Sequence, residues 1–246
     1  MALNAAKKKP TGNKDFVEQE PIDEGTYPCR VAQIIELGLQ PQRPHQGKVK
    51  PPVEMLYVTY ELTDEFMLDK DGEEVLNKPR WQSEDFPFYG LDCDMAKCNK
   101  RIKAIDPKLT TGGDWALLGG FPCLVTFVHN TKGDKTFINV ASVASVRAKD
   151  AGNIAELQNP VKIFDLDEPD LEVFNALPTW LQDKIKSNLN YKGSILEGML
   201  GAEQEEEEDE PEEAPKKPAK KSRKPVPQDD DEDDEPDGDV KQPWDE

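Results

Sequence analysis

Histidine is nearly missing from this chain: there are two in 246 residues, His45 and His129. Neither sits in an H-E-x-x-H frame, so the histidine-built metal and acid–base sites have no foothold. Phosphate-cradling glycine patterns are missing as well, since neither a Walker-type G-x-x-x-x-G-K nor a G-x-G-x-x-G occurs. Gly112-Gly113 and Gly119-Gly120 are isolated pairs and read as turns. Four cysteines in a chain this long do not make a disulfide framework; free thiols in a reducing compartment are expected. The spacing of Cys93 and Cys98 is not the short knuckle that zinc usually takes. No apolar run approaches the roughly 18–20 residues of a bilayer-spanning helix. The N-terminal lysines are followed by no apolar stretch of the secretory kind. These absences lead to the expectation of a cytoplasmic, membrane-free protein that is not an enzyme and needs neither metal nor cofactor.

What the chain has in excess is acid, and the acid is segregated. Fifty Asp and Glu oppose 31 Lys and Arg, for a net charge of −19. Residues 201–246 alone hold 20 acids against 7 bases, and their only apolar residues are Ala202, Ala214, Ala219, Val226, Val240 and Trp244. Such a segment cannot bury enough surface to offset its chain entropy, so a disordered acidic tail is expected over 201–246. The first 200 residues have an ordinary globular composition. Residues 1–24, Lys-rich and then acidic, read as a flexible arm.

Between these ends the pattern alternates as strands do. Tyr27, Cys29, Val31, Ile35 and Leu37 mark one face of a first strand over 27–37. Residues 38–53 then break every periodicity with Pro41, Pro44, Pro51 and Pro52, and their charges are Arg43, Lys48 and Lys50 with no acid. That stretch is a basic loop. Residues 54–62 form a second strand, Asp71-Gly72 a hairpin-type turn, and 80–88 a third strand carrying Trp81, Phe86 and Phe88. Leu91, Met95, Cys98, Ile102 and Ile105 recur at helical spacing, with Asp92 as the expected cap and Pro107 beyond the end. Strands four and five follow over 122–129 and 135–146. Cys29 and Cys123 then fall on neighbouring strands.

The order of three strands, a helix and two strands is the wiring of a five-stranded OB-fold barrel, with the helix between strands 3 and 4. Some α+β sandwiches share it; the mainly β barrel over 25–150 is the reading adopted. Residues 151–200 read as a small C-terminal helical appendix. There Thr179 to Gln182 and Ser194 to Glu197 fit capping boxes, and the last helix is expected to end at Gly201.

An acidic chain repels nucleic acid through its average field, so binding needs a local groove. The basic loop offers Arg43, His45, Lys48 and Lys50. Tyr57, Trp81 and Phe127 are candidate base-stacking rings, and Lys97, Lys100, Arg101, Lys103 and Lys132 candidate phosphate ligands. Single-strand binders combine these two ingredients. In the tail, nine acids over 203–213 and nine over 229–239 bracket six bases over 216–224, and the chain ends Trp244-Asp245-Glu246. A solvating tail needs no tryptophan, so Trp244, Asp245 and Glu246 read as a partner-docking handle.

A small OB domain, a flexible arm and an acidic tail ending near an aromatic resemble the single-stranded DNA-binding proteins of bacteriophages, in particular the replication accessory proteins of T7-like phages. Gly25-Thr26-Tyr27-Pro28, Arg80-Trp81 and the run from Pro178 to Ile185 share in that resemblance. It implies a protein that coats and protects single-stranded DNA in replication, recombination and repair. It also implies a tail that recruits DNA polymerase or helicase-primase; a homodimer is compatible with it. Here the acids stop short of the terminus and the bases over 216–224 interrupt them. The alternatives are an acidic decoy or chaperone that engages basic proteins by mimicking nucleic acid, and a metal-dependent nuclease.

Overall fold

One strand organises the molecule. In the computed structural model, which describes residues 17, 19–44, 46–133 and 135–209, β1 runs from Gly25 to Gln40 and is buried along most of its length. Its two edges are treated differently. β2 (Val53–Leu68) pairs antiparallel along one edge from Cys29 to Gln40. The other edge is shared: Gly25 to Arg30 pair antiparallel with β4 (Pro122–Lys132), and Gln33 to Ile35 pair parallel with the short β6 (Lys162–Phe164). β3 (Glu74–Pro87) lies outside β2 and β5 (Lys135–Ser145) outside β4, giving the order β3-β2-β1-β4-β5. The protein is mainly β, with six strands where five were expected, because β6 lies in the stretch read as wholly helical.

The register slips between Val31 and Gln33, and again between Glu36 and Gly38. An extra residue in one strand inverts the in–out alternation after it. Cys29, Val31 and, after the slip, Ile34 therefore enter one hydrophobic core, while Ile35 and Leu37 enter another on the opposite face. The sequence pattern, which put Ile35 and Leu37 beside Cys29 and Val31, is corrected on this point. At the second slip Gly38 has φ +70°, and a Cβ there would stand 2.8 Å from both Asn188 and Leu166. Only glycine allows that approach.

The first core lies on one face of the sheet, the inner face, and is filled by Leu56, Val58, Tyr60, Leu62, Phe86, Val125 and Phe127. The two edge strands share no ladder among the described residues. Side chains bridge them instead. Gln82 of β3 donates to Ile138 O of β5 at 3.1 Å. Helix α1 (Lys97–Ile105) supplies the second bridge, with Cys98, Ile102 and Ile105 buried beneath it. Its Arg101 donates through Nε and Nη2 to Glu84 of β3 at 2.8 and 3.1 Å, and through Nη2 to Val140 O of β5 at 3.2 Å. Tyr60 Oη donates to the same carboxylate at 2.9 Å.

α1 begins six residues later than the apolar spacing suggests, and Leu91 and Met95 are exposed. Asn99 explains the delay, because its side chain donates to Gly90 O and Cys93 O and holds that approach as turns. Contacts with the sheet also begin before Gly25. Ile22 is buried in the first core, Gln19 exchanges two hydrogen bonds with the Leu68 backbone, and His129 contacts Ile22 O and Glu24.

The second core holds the appendix to the outer face of β1. Ile35 and Leu37 meet Phe164 of β6, Phe174 of α2 (Leu171–Asn175), Leu181 and Ile185 of α3 (Thr179–Lys186), and Leu196 of α4 (Ile195–Asp209). Arg30 anchors the chain between β5 and β6, donating to Ile154 O and Ala155 O, and also donates to Gly120 O just before β4. Of the two expected capping boxes, the second forms in part: Ser194 Oγ accepts from Glu197 N, but Glu197 accepts from Gly193 N while Ser194 N donates to Tyr191 O. The first does not, because Pro178 takes the cap position and Gln182 turns back to Leu177 O. α4 continues past Gly201 to Asp209.

Cys29 and Cys123 are Cα partners across β1 and β4, both fully buried. Burial pushes the Cys123 thiol up to about 12 and raises Cys29 as well. Cys98 is buried and Cys93 exposed. Because the thiolate is the reactive form, a thiol reagent is expected to titrate one cysteine, Cys93, in the native protein and all four after denaturation. Rapid native labelling of two or more would contradict this packing.

Candidate nucleic-acid interface

Alternation along β2 sends Leu56, Val58, Tyr60 and Leu62 inward, which leaves Tyr57, Thr59 and Glu61 outward. Their register partners on β3 are Asp85, Ser83 and Trp81. The six make three cross-strand pairs on one outward face. Thr59 and Ser83 share a hydroxyl hydrogen bond of 2.9 Å. Glu61, 1% exposed, accepts from Trp81 Nε1 at 3.0 Å, Gln158 N at 2.7 Å and Asn159 Nδ2 at 2.8 Å. That carboxylate therefore fixes the edge of the Trp81 ring, which remains 38% exposed. Further along the face, half-buried Tyr57 meets Trp180 of α3 edge-on at 5.6 Å, and Trp180 is 56% exposed.

The basic loop stands at the end of this face where β1 passes into β2. Gln42 donates to Pro51 O at 2.8 Å and ties its base together. Gln46 and Gly47, with φ of 51° and 75°, turn the chain at its tip. Arg43, Lys48 and Lys50 are exposed, and among the described residues none of them forms an ion pair. His45 lies outside the described residues, as do Trp244, Asp245 and Glu246.

The other candidates are placed elsewhere. Phe127 is fully buried, its ring 5.6 Å from Tyr27, and presents no face to solvent. Arg101 is buried in the β3–β5 bridge. Lys97 sits 2.7 Å from Glu84 with its ammonium over the Phe86 ring, and Lys103 pairs with Asp94. Lys100 is exposed on α1 without an ion pair among the described residues. Lys132 is exposed at the β4–β5 turn, beyond the Gly25 end of β1 and so away from the basic loop. The structure thus places Tyr57 and Trp81 on one outward face of β2 and β3, with Arg43, Lys48 and Lys50 on the loop that joins β1 to β2. It adds Trp180, which the sequence places in a helix cap and in the Pro178 to Ile185 run, not among the stacking rings. Nothing in the local pattern signals Trp180, because its place depends on the second core docking α3 beside β2.

Acids limit where a phosphate chain can run. Glu36 and Glu54 face Asp167 across a cavity of about 180 Å³ near Gly38. Burial raises the Glu36 carboxyl above its ordinary range, with a hydrogen bond from Leu166 N opposing and the fields of Asp165, Glu54 and Asp167 reinforcing. A carboxyl whose folded-state value is raised binds its proton more tightly in the folded protein, so this group favours folding more as pH falls through that value. Glu36→Gln keeps an acceptor for Leu166 N without the charge. It is expected to raise the melting temperature at pH 7, by an increment that shrinks as both proteins are melted at lower pH. A pH-independent difference would assign the effect to something other than this ionisation.

No helix among the described residues is long and apolar enough to cross a membrane, and none of their His, Cys, Asp and Glu side chains form a cluster of three or more able to hold a metal ion. No protein-family model matches the chain, and no curated protein is significantly similar to it.

Proposed function

We propose that this chain binds single-stranded DNA, without catalysing a reaction, across the outward face of β2 and β3. One arrangement carries the reading: exposed Trp81 and Trp180, with Tyr57 between the strands and the helix, stand on a face that leads at one end into a loop whose only charges are positive. Every base has a π-face and every nucleotide a charge, so stacking rings beside a basic wall suit a strand with unpaired bases. The strand order supports an OB-type barrel, with β1 paired to both β2 and β4 and with β3 and β5 bridged by Gln82 and Arg101. OB-folds bind oligonucleotides on strands 2 and 3 beside the loop between strands 1 and 2, the position of the basic loop here.

In this proposal the chain coats single strands during phage DNA replication, recombination and repair in the host cytoplasm. Its terminal Trp244-Asp245-Glu246 docks replication proteins such as DNA polymerase or helicase-primase. The test is a gel shift with single-stranded and duplex oligonucleotides of one sequence at two salt concentrations. A shift of the single strand, weakened by salt and stronger than that of the duplex, is the expected result. An acidic decoy shifts neither, and a nuclease shortens the oligonucleotide once a divalent metal is added; both outcomes overturn the proposal.

A further inference from the structure

Between the basic loop and the appendix lies a cavity of about 420 Å³, within the size range of small-ligand sites. Its walls come from three places. Arg43 stands on the loop side, Met55 and Pro87 on the β2 and β3 side, Asp85 beside them, and Lys184 of α3 opposite. Lys184 has a fixed backbone. Gln40, 2% exposed, donates its side-chain amide both to Leu37 O at 2.8 Å and to Lys184 O at 3.0 Å, tying the end of β1 to α3. The neighbouring Lys186 lies over the Phe174 ring, whereas Lys184 and Arg43 have no ion-pair partner among the described residues. Two uncommitted cations therefore border a partly apolar cavity that also holds one exposed carboxylate.

We infer that this cavity is a single-nucleotide subsite of the proposed DNA path, in which Arg43 and Lys184 take the phosphate and Asp85 reads the base. The inference rests on the single-strand reading and adds the helical appendix as the second wall of the cleft. Met55 and Pro87 give the base apolar contact. An ionised carboxylate only accepts hydrogen bonds, so Asp85 selects a base edge that donates. Guanine presents two adjacent donors, N1–H and the N2 amino group, matching the two carboxylate oxygens; thymine presents one. The subsite consequently favours guanine at one position of an otherwise sequence-tolerant strand.

The experiment uses the full chain and two 20-nucleotide single strands, one all thymidine and one with guanine at alternate positions, titrated by fluorescence anisotropy over a series of salt concentrations. The wild type is expected to bind the guanine-containing strand about 3- to 10-fold more tightly, with Asp85→Asn bringing that ratio towards one. Lys184→Gln should weaken binding of both strands several-fold and lower the log–log salt slope by about 0.7, the share of one phosphate on a single strand. Its melting temperature reports that the fold is intact. If Lys184→Gln leaves affinity and slope unchanged while neutralising Arg43, Lys48 and Lys50 still lowers them, the subsite is wrong and the single-strand reading stands. If the wild type binds neither strand, that reading fails with it. Equal affinity for the two strands overturns the role given to Asp85.

Discussion

Replacing Arg101 by alanine is expected to lower folding stability by about 3 kcal/mol, because it leaves the buried Glu84 carboxylate short of its main counter-charge. Glu84 has 5% of its side chain exposed and receives two of the Arg101 hydrogen bonds. Lys97, 2.7 Å away, remains to screen part of the charge, which keeps the estimate at the lower end for a broken buried pair. The loss also removes the donor to Val140 O, one of the side-chain bridges between β3 and β5. In a domain of this size, 3 kcal/mol corresponds to a fall in melting temperature of roughly 6–12 °C. Arg101→Lys keeps the charge without the planar fork, so it should fall between wild type and alanine. Thermal melts of the three proteins decide the matter. An unchanged melting temperature with a flattened salt dependence of DNA binding would instead return Arg101 to the interface.

Neutralising the basic loop should do the reverse. With Arg43, Lys48 and Lys50 all changed to glutamine, the log–log salt slope of single-strand binding is expected to fall by about 2, three phosphates at roughly 0.7 each. If the wild-type and variant curves converge near 1 M salt, that slope change amounts to roughly a hundredfold weaker binding at 0.1 M. Stability should barely move, because all three side chains are exposed and none forms an ion pair among the described residues. Affinity against salt, measured beside a melting curve, separates the two effects. An unchanged slope would move the phosphate contacts elsewhere. With Lys97, Arg101 and Lys103 already in ion pairs, Lys184, Lys100 and Lys132 would then be the residues to vary.

Element order was legible in the sequence because it rests on apolar periodicity and turn residues, both local properties. Three strands, a helix and two strands follow from the spacing of residues such as Val125 and Ile102, and the basic loop from its prolines. What was not legible depends on one residue's phase or on distant partners. The extra residue in β1 turns Ile35 and Leu37 to the second core without changing the composition of the strand. Arg101 is off the apolar stripe of its helix, where a solvated lysine would look the same; Glu84, 17 residues earlier, and Val140 O, 39 residues later, make it internal. Phe127 and Trp81 are equivalent as sequence, since each is an aromatic in a strand. The inner face claims one, while the outward face leaves the other beside Glu61.

The division of β1 between two edge partners also sets a timetable for synthesis. Its β4 partners lie about 100 residues further along the chain and its β6 partners about 130, as the pairings of Thr26 with Thr126 and Ile34 with Ile163 require. At roughly 5–20 residues per second, the ribosome takes on the order of ten seconds to deliver both. Until then β1 can pair with β2 alone, and the row of amides and carbonyls on its other edge stays open beside some of the most apolar side chains in the chain. An open apolar edge is a template for pairing with another chain. Ribosome-stalled chains ending before residue 120 should therefore aggregate or recruit chaperones, and those long enough to expose 164 outside the exit tunnel should not.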